Sequence, residues 1–258
     1  MAIDPFKKKL SSFIEKNIHE FHENRLRSLN ELRLDRILLQ KNPYLFRAKH
    51  LNTAAEIIES LLSAYLSSRE EILFGDFLEK VAVYTCSQSF NGKKSSAEGI
   101  DLEFSRAKIY YLVSIKSGPN WGNSQQIRRM EENFKKAYRI LGGNSSKKHI
   151  VAINGCCYGR DNKPEKDGYL KLCGEPFWSL ISGRPSLYLD LIKSLGHRAK
   201  EKNEAFLLAY ERICNSFTRD FLNRFCLDNG DIDWSTLVKL NSAEKNPATT
   251  KTSSRKNT

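Results

Sequence analysis

The chain has 258 residues, and Lys plus Arg (42) outnumber Asp plus Glu (30) by 12. A hydrophobic content of 40% excludes a wholly disordered chain, because it is enough for a packed core. No apolar run reaches the roughly 18 residues that suggest a membrane span, and the first residues lack the apolar segment of a signal peptide. We therefore expect a soluble, basic, cytoplasmic protein without a membrane partner.

The positive charge is informative about partners and not about fold. Nucleic acid is the obvious polyanion, since its phosphates favour Lys and Arg through counterion release. Part of the charge lies in residues 241–258, which are rich in Ser, Thr and Asn and poor in large apolar residues. That composition predicts a disordered tail.

The cysteines do not form a recognisable metal site. No Cys-x-x-Cys pair is present, and zinc sites need ligands paired at short spacing. His19 and His22 are the only close histidine pair, with no cysteine nearby. We interpret the cysteines as buried, reduced thiols: Cys86, Cys156, Cys157, Cys173, Cys214 and Cys226.

The N-terminal part has a helical pattern. Apolar residues recur at three- and four-residue steps from Phe6 to about Gln40, and Asn42-Pro43 interrupts them. Asn52-Thr53 offers an N-cap, with Glu56 in reach, for a helix over 54–66, and a further helix is predicted from about Ser68. Residues 1–70 are thus predicted to be a helical N-terminal region, which we hypothesise supplies a dimer contact.

The middle of the chain changes to an α/β pattern. Strands are predicted over 99–104 and 108–116, and a third, almost wholly apolar strand over 149–155. A Gly/Asn-rich loop over 117–123 leads into a helix predicted over 124–141. The predicted order is therefore strand, strand, helix, strand.

Residues 160–167 are predicted to be a loop. Helices are then predicted over 175–181, 187–196 and 200–226. The fold class that follows is α/β, with a central mixed sheet flanked by helices, and residues 71–240 form the predicted catalytic domain.

Three residues of the central region suggest a chemistry. Asp101 lies on the first predicted strand, and Ser114 and Lys116 end the second, where alternation places them on one face. A hairpin would set the two strand ends side by side. A carboxylate that holds a divalent metal next to a lysine suits phosphodiester hydrolysis, because the metal polarises the phosphate and lowers the pKa of water. The lysine would orient or deprotonate that water, or stabilise the charge that develops on phosphorus.

These residues resemble the two halves of the PD-(D/E)xK nuclease motif, as Gly99-Ile100-Asp101 and Ser114-Ile115-Lys116. A more specific run extends from Tyr111 to Gln125. Over about residues 73–242 the chain is similar to the PmeII-type family of type II restriction endonucleases. Further segments support this likeness: Lys171 to Trp178, Ile181 to Gly183, Phe217-Thr218 and Asp231 to Trp234.

The resemblance implies a PD-(D/E)xK restriction-endonuclease-like core and a homodimer that uses Mg²⁺. It also implies cleavage of both strands of a short palindromic site in double-stranded DNA. A sequence-specific nuclease must be prevented from cleaving the genome of its host. A cognate DNA methyltransferase is therefore expected as a functional, and not a physical, partner.

The chain departs from the family motif at Ser114, where Asp or Glu is expected. A serine hydroxyl is a poor Mg²⁺ ligand, because Mg²⁺ prefers carboxylate oxygens and water. Either the missing acid comes from elsewhere in the chain, or the metal is held by Asp101, a backbone carbonyl near Ile115 and water. We favour Glu79, since the helix before the first strand packs over the active site in such folds. The acids considered are Glu79, Glu103, Glu131 and Glu132.

The loop and the helix after it are the predicted DNA-contacting segment. Glycines allow backbone N–H groups to approach an anion, although this is no Walker motif. Trp121, Trp178 and Trp234 are interpreted as packing residues. The predicted DNA contacts are Asn120, Asn123, Gln125, Gln126, Arg128 and Arg129.

Two alternatives stay open. Because of Ser114, the chain could be a sequence-specific DNA-binding protein with a decayed nuclease centre. It could also be a DNA repair or recombination nuclease.

Overall fold

A computed structural model describes residues 4–142, 149–196 and 198–244. It is a mixed α/β structure with a five-stranded sheet, flanking helices and an N-terminal helical region, which confirms the predicted fold class. In chain order the elements are α1 (Pro5–Asn30), α2 (Leu34–Leu39), α3 (Pro43–Ala48), α4 (Ala54–Phe90), β1 (Leu102–Arg106), β2 (Ile109–Lys116), α5 (Ser124–Gly142), β3 (Ile150–Cys156), β4 (Glu165–Lys166), β5 (Tyr169–Cys173), α6 (Glu175–Ser182), α7 (Leu187–Leu195), α8 (Ala199–Phe225) and α9 (Trp234–Ser242).

The sheet has the strand order β1-β2-β3-β5-β4. The β1–β2 and β4–β5 pairs are antiparallel, whereas β2, β3 and β5 run parallel. The short turn between β1 and β2 has Ala107 and Lys108 at positive φ, which suits a tight hairpin. In the parallel β2–β3 pair Ser114 lies beside Asn154.

The chain forms two compact units, and the first comprises Met1–Arg25 and Arg69–Glu204. Within it, buried residues of α1, α4, α6 and α7 pack on one face of the sheet, and α5 packs on the other. Leu102 and Val113 face the first group, while Leu112 and Ala152 face α5. Because strand side chains alternate, each strand contributes to both layers.

The second unit comprises Leu26–Ser68 and Ala205–Thr258. Its core contains the fully buried Ile57, Ile58 and Phe221. The predicted capping box is present at the start of α4. The Thr53 hydroxyl accepts from the Glu56 N–H at 3.2 Å, and the Glu56 carboxylate accepts from the Thr53 N–H at 3.0 Å.

Several helix boundaries differ from the prediction. The predicted helix from Phe6 to Gln40 is two helices, α1 and α2, and the predicted separate helices before and after Ser68 are one, α4. Ser67 and Ser68 do not end the helix, because buried residues such as Leu66 and Leu73 continue at helical spacing across them. The β4–β5 hairpin within and after the predicted 160–167 loop, and helix α9, were not predicted from the sequence.

The boundaries between the units fall within α1, α4 and α8, and the one in α4, between Ser68 and Arg69, lies close to the predicted division at residue 70. A disordered tail was predicted from residue 241, but Asn241 and Ser242 still belong to α9. The Asn241 amide donates to the backbone carbonyls of Leu38 and Lys41, at 3.0 and 3.1 Å. Residues 245–258 lie outside the described residues.

All six cysteines are free thiols, and Cys86, Cys156, Cys157 and Cys173 are buried. Burial raises the pKa of Cys86 and of Cys156 to about 12, so these thiols stay protonated at neutral pH. Within residues 4–142, 149–196 and 198–244, no helix is long and apolar enough to cross a membrane.

Candidate active site

The first two strands bring Asp101 and Ser114 together. Asp101 immediately precedes β1, and its backbone N–H donates to the carbonyl of Val113 at 2.8 Å. Its carboxylate Oδ2 accepts from the backbone N–H of Ile115 at 2.6 Å and from the Ser114 hydroxyl at 3.5 Å. Both bonds go to Oδ2, which leaves Oδ1 available to a cation. The hairpin thus joins the two halves of the predicted motif.

Charged groups from three segments act on the Asp101 carboxylate. Burial raises the pKa of Asp101, and the Ile115 N–H opposes that shift. The positive charges of Lys116 and Lys94 also lower this pKa, whereas the negative charge of Glu79 raises it. Glu79 and Lys116 therefore lie close enough to Asp101 for their charges to affect its pKa.

Glu79 and Lys116 line one cleft of about 500 Å³. Glu79, on α4, is paired with Lys94 at 3.2 Å. Lys94 lies in the segment between α4 and β1, and sequence reasoning missed it because it belongs to no motif. The cleft is otherwise lined by Glu71, Ile72, Gly75, Asp76, Ile115, Tyr158 and residues 117–121.

The other candidate acids have different surroundings. Glu103 forms an ion pair with Lys93 at 3.1 Å, and it also hydrogen-bonds Tyr110, whose pKa is raised by burial and by this bond. Glu131 acts on Tyr169 of β5, and Glu132 is exposed on α5. Of the four acids, Glu79 is the one that we find acting on Asp101.

The donor set at the cleft fits a hydrated Mg²⁺ ion. Mg²⁺ is usually bound by one or two carboxylates and keeps several waters. Asp101 and Glu79 would provide two carboxylates, and Ile115, whose N–H bonds Asp101, lines the cleft. In the described part of the chain no group of three or more His, Cys, Asp and Glu side chains is placed to hold a metal ion.

A family model described as "Type II restriction endonuclease EcoO109I" matches residues 8–203, which is well over half of the chain. The chain belongs to this family of type II restriction endonucleases. The match includes Glu79, Asp101, Ser114 and Lys116, and it makes DNA the expected substrate class. The resemblance drawn from the sequence was to the PmeII type, which the match does not show. No curated protein matches the chain.

In this restriction endonuclease, the loop after β2 places an aromatic ring beside Lys116. The Lys116 ammonium lies 5.0 Å from the centroid of the Trp121 ring. The Trp121 indole N–H donates to the side-chain carbonyl of Asn154, on β3, at 3.3 Å. Trp121 was interpreted as a packing residue, and that interpretation missed its contact with the lysine.

The same loop is held at two further points. The Lys171 ammonium donates to the carbonyl of Pro119 at 2.8 Å. At Gly118, an added Cβ would come within 2.4 Å of the Tyr158 ring, so a larger residue there would displace this exposed side chain. The Lys171 hydrogen bond therefore ties the loop to β5 beside the cleft.

The predicted DNA contacts fall into two groups. Asn123 and Gln126 form a reciprocal cap at the start of α5, with bonds of 2.9 and 3.0 Å, so their oxygen atoms are occupied. Arg129 is paired with Glu98 at 3.0 Å. Three predicted contacts remain, namely Asn120, Gln125 and Arg128. All three are exposed, and Asn120 also lines the cleft.

Proposed function

We propose that this protein is a Mg²⁺-dependent type II restriction endonuclease that cuts both strands of a short palindromic DNA site. The observation that carries the proposal is that Glu79 and Lys116 line one cleft and both act on Asp101, which bonds to Ile115 in the wall of that cleft. Three segments distant in sequence converge there, in a chain whose family cuts DNA.

Asp101 and Glu79 would hold the metal ion. When bound, Mg²⁺ would polarise the phosphate and lower the pKa of an attacking water. Oδ2 of Asp101 is fixed by the Ile115 N–H, so the carboxylate presents Oδ1 in a defined direction. Lys116 would stabilise the negative charge that develops on the phosphoryl oxygens, or orient the attacking water.

Cleavage of both strands at a palindrome is best served by two copies of the site, related by two-fold symmetry. We therefore propose a homodimer with one active site for each strand, and a cognate DNA methyltransferase as its functional partner. We also propose that the protein is of the PmeII type.

The proposed contacts to DNA use the exposed cations and amides near the cleft. Arg128 and Arg129 would contact backbone phosphates, which give affinity without sequence information. Arg129 would exchange its partner Glu98 for phosphate. Asn120 and Gln125, with the free NH₂ groups of Asn123 and Gln126, are the proposed polar contacts.

A plasmid digest tests the proposal. The protein with Mg²⁺ should produce discrete fragments with common end sequences, and EDTA should abolish them. A specific gel shift without cleavage, in Mg²⁺ or Mn²⁺, would instead support a decayed nuclease centre, which Ser114 favours as the second candidate. Uniform degradation, or preference for ends or flaps, would support a repair or recombination nuclease.

A further inference from the structure

We propose that Trp121 and Asn154 form a positioning device for Lys116. In this device, Asn154 fixes the indole ring and the ring fixes the lysine ammonium. The inference rests on the proposed function, since it assigns Lys116 a place in the reaction. Neither residue is part of the motif that led to the active site.

Asn154 is the buried end of the device. Its side chain is fully buried on β3, and it accepts from the Trp121 indole N–H at 3.3 Å. Its amide donates to the Met130 sulfur at 3.1 Å, and the Cys156 thiol lies 3.5 Å from its carbonyl oxygen. A buried polar side chain costs stability unless it is hydrogen-bonded, so these contacts define one orientation of Asn154.

Trp121 transmits that orientation to the cleft. The hydrogen bond at Nε1 fixes the rotation of the indole, and the ring face then lies 5.0 Å from the Lys116 ammonium. A cation at this distance is attracted by the negative face of the ring. Lys116 ends β2 next to β3, so the ring limits where the flexible lysine stem can place its charge.

The consequence for catalysis is geometric. Lys116 otherwise has four rotatable side-chain bonds with which to leave the cleft, and a displacement of about 1 Å in an active site can cost roughly 10²-fold in rate. The device therefore acts on the cleavage step and leaves DNA affinity unchanged. Trp121→Leu removes both the ring face and the N–H donor, whereas Trp121→Phe keeps an aromatic face.

The test compares single-turnover cleavage rates and DNA dissociation constants, after thermal unfolding has shown that each variant is folded. Trp121→Leu should lower the cleavage rate by roughly ten- to a hundredfold, with DNA affinity unchanged, and Trp121→Phe should restore part of that rate. In a Lys116→Met background, Trp121→Leu should cause no further loss. Equal rates for wild type and Trp121→Leu, or a full additional loss in the Lys116→Met background, would overturn the inference.

A measurement that needs no cleavage separates this inference from the proposed function. The ¹³Cε–¹H signal of Lys116, assigned by its loss in Lys116→Arg, should show a ring-current shift. That shift should disappear in Trp121→Leu and persist in part in Trp121→Phe. An unshifted signal in wild type overturns the inference even if the protein cuts DNA. A wild type that does not cut DNA but shows the shift overturns the proposed function alone.

Discussion

The carboxylate of Asp101 accepts a hydrogen bond of 2.6 Å from the backbone N–H of Ile115. This bond joins the two halves of a motif whose members are thirteen or more residues apart in the chain. It fixes one carboxylate oxygen through the backbone of the strand that ends at Lys116. The geometry of the acid and the position of the lysine therefore depend on the same hairpin.

Asp101→Asn should abolish cleavage and stabilise the metal-free protein. Burial raises the pKa of Asp101, so its charged form is less favourable in the folded than in the unfolded chain, and stability falls as the pH rises through the folded pKa. A neutral Asn still accepts from the Ile115 N–H. At neutral pH, without metal, the midpoint of thermal unfolding should rise, about 2–4 °C for each 1 kcal/mol. A lower midpoint would contradict this account of the carboxylate.

Glu79→Gln should raise the Mg²⁺ concentration that cleavage requires. The substitution removes a proposed metal ligand and keeps the side-chain volume, so the Mg²⁺ concentration for half-maximal rate should increase by roughly an order of magnitude or more. Glu132→Gln is the matched control, because Glu132 is exposed on α5. If the control shifts the Mg²⁺ dependence and Glu79→Gln does not, the assignment of the acid is wrong.

Ser114→Asp should make stability depend on metal. Ser114 is only 1% exposed, and its hydroxyl is 3.5 Å from the Asp101 carboxylate, so a second carboxylate there would repel the first. The unfolding midpoint should fall without metal and rise on addition of Ca²⁺ or Mg²⁺ by more than it does in wild type. Ser114→Asn is the neutral control, and an equal metal effect in both variants would count against a metal at this position.

The Glu56 capping box predicts a pH-dependent stability that is independent of the active site. Backbone N–H groups of Asn52 and Thr53, with the Thr53 hydroxyl, hold the pKa of Glu56 below its usual range. Its contribution is present above the ordinary Glu pKa of about 4.3 and is lost as the pH falls through the lowered folded value. Glu56→Ala should therefore destabilise at pH 7 and much less at pH 2.

Glu59→Ala provides the comparison for that experiment, because Glu59 is exposed on the same helix and lies outside the box. Thermal unfolding of both variants at the two pH values checks the prediction. A loss in Glu56→Ala that is equal at both pH values would mean that the carboxylate charge has no part in it.

Local patterns predicted the parts of this fold that local physics determines. Alternation along β2 placed Ser114 and Lys116 on one face, and Thr53 with Glu56 marked the start of α4. The length of α4 could not be predicted in the same way. Ser67 and Ser68 resemble a boundary in isolation, and packing on both sides of them maintains the helix.

The residues missed at the site are those brought together by long-range pairing. The contact of Trp121 with Asn154, which are 33 positions apart in the chain, depends on β3 lying parallel to β2. Lys94, which follows α4, pairs with Glu79 inside that helix, and no rule of helical or strand spacing predicts this pair. The sequence led to the proposed roles of Asp101 and Lys116 in phosphodiester hydrolysis. Only the fold shows which side chains surround them.

The most direct test of the central claim is single-turnover cleavage of a duplex containing the mapped site, with wild type, Asp101→Asn and Lys116→Met side by side. All three should bind the duplex, and wild type should cut both strands only when Mg²⁺ is present. Both variants should lose roughly three orders of magnitude or more in rate. Cleavage by either variant at the wild-type rate would show that this cleft does not break the phosphodiester bond.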